Sequence, residues 1–136
     1  MTPDFEPTVT QWTAAEIRSV DDTRELQIAT TRANGSTSPW TPIWVVVVAD
    51  EVFVRTWTPR TTGWYGRAVA RRRAVISLFE SPVDVVVTAV GDTNVAAVDA
   101  AYRAKYGVAA AASMVTPAAQ TSTLKLARAS SPAASA

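Results

Sequence analysis

From residue 25 to 31 the run Glu-Leu-Gln-Ile-Ala-Thr-Thr alternates apolar and polar side chains, putting Leu26 and Ile28, with Thr30 in phase, on one face. Period two predicts a strand, and Asn34-Gly35 behind it predicts a hairpin turn. Ser38-Pro39 and Thr41-Pro42 hold the return extended and limit ladder bonding at its start, because proline has no N–H to donate. Residues 42–49 are then apolar and β-branched without alternation, the pattern of a strand covered on both faces. Asp50-Glu51 turns the chain tightly into residues 52–57, where Val52, Val54 and Thr56 face one way and Phe53, Arg55 and Trp57 the other.

Helical spacing marks three further segments. Thr13 caps a short helix from residue 14 to about 20, with Glu16 placed to complete a capping box and Trp12, Ile17 and Val20 turned to the core. Thr61-Thr62-Gly63 opens a second helix to about residue 72, with Trp64, Ala68 and Arg71 on one side. Residues 73–79 read as a third strand, and Ser81-Pro82 turns it into a fourth, residues 83–90. Val95, Val98, Ala101, Tyr102 and Tyr106 recur with helical period after the turn Gly91-Asp92-Thr93-Asn94, and Gly107 stops that helix. Residues 109–114 add a turn, and residues 121–129 alternate as a closing strand.

This organisation predicts a flexible N-terminus over residues 1–11, one domain over 12–129 and a disordered tail over 130–136. The class is α+β: a small or half-open barrel of five to six mainly antiparallel strands with a few short helices.

Composition removes several chemistries. The 136 residues include neither cysteine nor histidine, so disulfides, thiolate nucleophiles, zinc catalysis and Ser-His-Asp hydrolysis are excluded. Carboxylates, tyrosine, arginine, hydroxyls or an imported cofactor must do the work. The start has no leader-like pattern and the longest apolar run is too short for a bilayer, so a soluble cytoplasmic protein without membrane contact is expected.

Net charge is only +1, but residues 1–31 hold six acids against Arg18 and Arg24, whereas residues 52–79 hold Arg55, Arg60, Arg67, Arg71, Arg72 and Arg73 and no acid. Arginine's planar fork suits phosphate or carboxylate oxygens. A solvated basic face explains the same run, and the asymmetry, which could pair the two ends across a dimer or within one fold, is weak evidence for nucleic acid.

Four of the five tryptophans lie between residues 40 and 64, beside this window. A pocket could take its floor from residues 44–48, its wall from Trp40, Trp57, Trp64 and Tyr65, and its mouth from Arg32, Arg55 and Arg60. Ordinary core packing also uses tryptophan in this way. Gly63-Trp64-Tyr65 at a helix start offers free backbone N–H groups to an anion, although helix capping accounts for it equally. Tyr65, Tyr102 and Tyr106 are candidate acids, and Glu80, Asp84 and Asp99 candidate bases, but no spacing among them demands acid–base work.

The order of Glu25 to Gly35, Pro42-Ile-Trp-Val-Val-Val, Val52-Phe-Val-Arg-Thr-Trp, Gly63-Trp-Tyr, Asp99-Ala-Ala-Tyr-Arg-Ala-Lys-Tyr-Gly and Thr123-Leu-Lys-Leu resembles the bacterial domain-of-unknown-function family 2255. More distantly it resembles the split β-barrel flavoproteins, including the deazaflavin-dependent nitroreductases with their Thr-Thr-x-Gly-Arg-Lys-Thr-Gly and Trp-Tyr-x-Asn-Leu motifs. Thr30-Thr31-Arg32-Ala33-Asn34-Gly35 and Trp64-Tyr65-Gly66-Arg67-Ala68 stand in the same order here, with Ala33 in place of the lysine and Arg67-Ala68 in place of Asn-Leu. The resemblance implies a split barrel, a homodimer, and a flavin mononucleotide or deazaflavin coenzyme whose phosphate meets Arg32 and the loop from Arg60 to Trp64.

Three functional readings follow. The first is a flavin- or deazaflavin-binding oxidoreductase acting on a small hydrophobic or aromatic metabolite, with Arg32, Trp57, Arg60, Trp64 and Arg67 at the cofactor, Tyr65 and Arg55 as catalytic groups, and Trp40, Trp44 and Tyr102 around the substrate. The second uses the same pocket with no cofactor, as a cyclase, isomerase or lyase of secondary metabolism. The third is a non-enzymatic module that meets an acidic partner through Arg67, Arg71, Arg72 and Arg73.

Overall fold

The computed structural model describes residues 9–31, 34–56, 63–91 and 93–130. Its strands are β1 (Val9–Thr10), β2 (Leu26–Ala29), β3 (Thr41–Ile43), β4 (Val45–Val48), β5 (Glu51–Val54), β6 (Arg73–Leu78), β7 (Ser81–Ala89) and β8 (Leu124–Ala129). The helices are α1 (Ala14–Asp22), α2 (Gly63–Arg71), α3 (Val95–Tyr106), α4 (Val108–Ala111) and α5 (Pro117–Thr121), with a 3-10 turn at Ala112–Met114. All strands join one antiparallel sheet in the order β3-β2-β6-β7-β8-β5-β4, with β1 added along β8. The two ends of that path, β3 and β4, are joined through Trp44 alone, so the sheet curls into a nearly closed barrel whose seam is Trp44.

That seam corrects the expectation of one strand over residues 42–49. The two halves pair with different partners, Ile43 opposite Leu26 and Val45 opposite Val54, and the ladder breaks where the chain changes sides. Both faces of β4 are covered, as its unbroken apolar run implied: Val45 packs inside the barrel and Val46 beneath α3. Val9 and Thr10, read as loose, pair with Ala129 and Arg128.

The turn between β6 and β7 also moves, from Ser81-Pro82 to Phe79-Glu80. Both of these residues have positive φ (53° and 62°), the two-residue geometry whose twist matches antiparallel strands. Pro82 enters β7 opposite Ser77, and the resulting register carries Val85 and Val87 into the barrel. α5 was not anticipated; Thr116 caps it by accepting the Ala119 N–H at 3.2 Å, with Pro117 at the first turn. The final strand accordingly starts at Leu124.

Two packed layers share the β4–β5 hairpin. Inside the barrel, Leu26, Ile28, Val52, Val54, Ile76 and Leu126 meet Val20 of α1. On the outer face, Val46 and Phe53 meet Val98, Tyr102 and Tyr106 of α3. The capping box of α1 is formed as expected, Thr13 N–H donating to Glu16 Oε1 at 2.9 Å and Glu16 N–H to Thr13 Oγ1 at 3.1 Å. Among the described residues no helix is long and apolar enough to cross a membrane.

Candidate functional site

Strand alternation continues past β5, so Arg55 follows Phe53 onto the face covered by α3 and lies sealed in protein, 1% exposed. A guanidinium so buried is tolerated only when paired and hydrogen-bonded. Its Nη1 donates to Asp99 Oδ1 of α3 and to the Met114 carbonyl at 2.7 Å, and its Nε donates to Thr123 Oγ1 at 2.8 Å. Gln120 Nε2 holds the other Asp99 oxygen at 3.0 Å, and the Tyr102 ring lies 5.7 Å from the guanidinium carbon. Three chain segments thus hold one cation directly, and Gln120 of α5 steadies its carboxylate partner. Its Nη2 group, which carries two N–H donors, is buried with no partner among the described residues. An unmade bond of that kind costs about 1–3 kcal/mol, which the surrounding bonds of Arg55 must offset.

Arg55 lines a pocket of about 310 Å³ at the barrel seam, together with Trp44, Trp64, Glu25, Ser113 and Met114. A wider hollow of about 820 Å³ lies between α1 and the β4–β5 turn, lined by Arg18, Asp21, Asp50, Glu51 and Lys125. It is larger, but Lys125 and Glu51 already pair there at 3.6 Å and are partly solvated, whereas the smaller pocket has Trp44 and Trp64 in its lining. The smaller pocket is the better site on chemistry.

Trp44 is held as part of the seam: its ring stacks on Tyr106 at 4.2 Å and 3°, and its carbonyl accepts the Tyr102 hydroxyl at 3.3 Å. Tyr102, expected around the substrate, is instead fully buried beneath Arg55, and burial drives its phenol far up. Trp40 is 46% exposed and outside the pocket wall. Tyr65 is half-buried against Trp64, edge to face at 5.7 Å, and desolvation raises its phenol. Arg55, expected at a mouth, is instead buried, its side chain without accessible surface. Arg32, Trp57 and Arg60 lie outside the described residues. Arg71, Arg72 and Arg73 are exposed.

Helix α2 is tied to the β2 hairpin. Arg67 Nε donates to Thr30 Oγ1 at 2.7 Å, while Thr30 N–H donates to Ser38 Oγ at 3.0 Å and closes the hairpin root. The Arg67 Nη groups make no bond among the described residues. Sequence reasoning named Asp99 only as one base among three and passed over Thr123 and Gln120. The available signal was Asp99 lying three residues before Tyr102 and seven before Tyr106, hence on the same buried helix face. Among the described residues no group of three or more acids could hold a metal ion.

The barrel with its seam pocket defines an α+β split-barrel domain, a class that includes solved structures of low sequence identity. Two are the conserved hypothetical protein Rv2991 from Mycobacterium tuberculosis (TM-score 0.57, 14% identity, covering 91% of this chain and 83% of that one) and an "F420 Reductase" (TM-score 0.57, 15% identity, 88% and 97%). At these identities the likeness concerns the fold. Residues 16–126 match the family described as "Uncharacterized protein conserved in bacteria (DUF2255)", and the chain belongs to that family. No curated protein sequence matches it.

Proposed function

We propose that the protein is an oxidoreductase that binds a flavin or deazaflavin coenzyme and moves a hydride to or from a small hydrophobic or aromatic metabolite, working as a cytoplasmic homodimer. The observation that carries this reading is the Arg67–Thr30 bond, which draws together the two segments that resemble the nitroreductase motifs. The donor set suits a phosphate there: Arg67 stands next to the hairpin root, and among the described residues only its Nε is bonded. When bound, the coenzyme would supply the hydride chemistry for which no side chain of this composition is suited. Arg67 would hold its phosphate, Trp64 would offer a flat wall, and Tyr65, whose phenol burial raises further, would donate a proton. The test is an absorbance spectrum of the purified protein followed by titration with flavin mononucleotide and with the deazaflavin coenzyme. Saturable binding that Arg67→Ala weakens supports the reading; a colourless protein that takes up neither removes it.

A second reading is favoured by the pocket itself. About 310 Å³ is at the small end of ligand sites, and Trp44 and Trp64 among its lining suit a small flat metabolite held without any coenzyme. A cofactor-free cyclase, isomerase or lyase would then turn over such a metabolite in the absence of added coenzyme.

A further inference from the structure

We infer that Asn34-Gly35, in the loop of the β2–β3 hairpin, is a site of self-modification, where the Asn34 amide is converted to a carboxylate without enzyme or cofactor. Thr31 and Thr37 pair across the base of this loop, and Asn34, Gly35 and Ser36 are all exposed. The reaction needs a main-chain nitrogen that no side chain shields. Gly35 supplies it: its φ is +88°, and no described residue beyond its chain neighbours comes within 4 Å of where a Cβ would stand. The reaction also needs the side-chain carbonyl held near that nitrogen and stabilised as charge develops on its oxygen. Asn34 Oδ1 accepts the Ser36 N–H at 3.0 Å and the Ser36 Oγ–H at 2.7 Å, which folds the side chain back over its own main chain and sets two donors on the reacting oxygen. The Gly35 nitrogen loses its proton to solvent and bonds Asn34 Cγ, the Cγ–Nδ2 bond breaks, and ammonia leaves. Water then opens the cyclic imide at either carbonyl, giving aspartate or isoaspartate with no change of oxidation state. Asn94, the other asparagine of the chain, lacks these features. The residue behind it is the β-branched Val95, the first of α3, and its side chain makes no capping hydrogen bond. Conversion of Asn34 takes the formal net charge from +1 to zero, where proteins associate most readily.

The test incubates the full chain, and a synthetic peptide of residues 31–37, in mildly alkaline buffer at body temperature. Peptide mass spectrometry follows the Asn34 and Asn94 amides, with isoaspartate separated from aspartate by chromatography. Asn34 is expected to convert in the full chain at least as fast as in the peptide, while Asn94 stays an amide. The rate should rise with pH, since the attacking nitrogen must first lose its proton. Ser36→Ala removes one of the two donors and should slow the full chain roughly fivefold, the worth of one hydrogen bond. An Asn34 that survives in the folded chain while the peptide converts overturns the proposal, as does conversion of both asparagines at one rate. An unchanged rate in Ser36→Ala overturns the part given to the Ser36 hydroxyl.

Discussion

The two faces of the β4–β5 hairpin are packed on different principles. Inward, Val45, Val52 and Val54 join an aliphatic barrel core held by area removed from water, a force without direction that tolerates changes of shape. Outward, Phe53 and Arg55 meet α3 through rings and directed bonds. Tyr106 Oη accepts the Val45 N–H at 3.1 Å and reaches the Arg24 carbonyl at 2.6 Å, Lys105 Nζ donates to the Val20 and Val45 carbonyls at 3.2 and 2.8 Å, and Arg55 pairs with Asp99. The barrel makes a stable domain; the layer beneath α3 specifies geometry, and the one buried side-chain polar atom left without a partner among the described residues lies there.

The sharpest break of this contrast is Asp99→Ala, which strands a buried cation and should cost about 3–5 kcal/mol in urea unfolding. Arg55→Met with Asp99→Leu, which removes both charges and the orphaned donor, should recover most of that loss. If the single and double variants lose equally, the layer is held by shape and the contrast fails. Inside the barrel, Ile28→Ala should cost about 3 kcal/mol, and Ile28→Val about 1, with the nuclear magnetic resonance signal of the Arg55 Nε–H unmoved.

Alkaline unfolding separates the faces further. Tyr102 lies in the outer layer and burial raises its phenol well above the ordinary value of 10.0. The neutral form is favoured by folding, so its stabilisation is complete below pH 10 and is lost as pH rises beyond it. Stability should fall above pH 10, and Tyr102→Phe should flatten that limb.

The smallest effects are at α1. Thr13→Ala removes half of the capping box and should cost about 1 kcal/mol by thermal unfolding. Burial works to raise the Glu16 carboxyl, but the Thr13 N–H and Arg128 at 2.8 Å outweigh it and hold it below its ordinary 4.5. A lowered carboxyl stabilises above its unfolded value and ceases to as pH falls through the folded one, so the loss appears below about pH 4.5. Glu16→Gln should make stability less dependent on pH there.

Much of the fold was legible in the chain because local chemistry set it. The capping box of α1, the helix from Val95 to Tyr106 ending at Gly107, the hairpin from β4 into β5, although its turn is Ala49-Asp50 and not Asp50-Glu51, and the opposed phases of Val54 and Arg55 follow from spacing and side-chain type alone. The break at Trp44 was not legible, since residues 42–49 carry one continuous apolar signal whether they pair with one neighbour or two. The β6–β7 turn was misplaced because Ser81-Pro82 is the stronger local turn signal, whereas register across the sheet decides the turn.

The candidate site divides in the same way. That an arginine would stand among apolar strand residues, with tryptophans near it and no histidine or cysteine to compete, was determined by the sequence itself. That Arg55 is sealed rather than at a mouth, that Asp99, Thr123 and Met114 take three of its hydrogen bonds, and that Nη2 is left facing no partner, was decided only by the tertiary structure. The partners come from positions 44 to 68 residues away in the chain, and contacts at such separations are set by how the barrel closes, which no local pattern encodes.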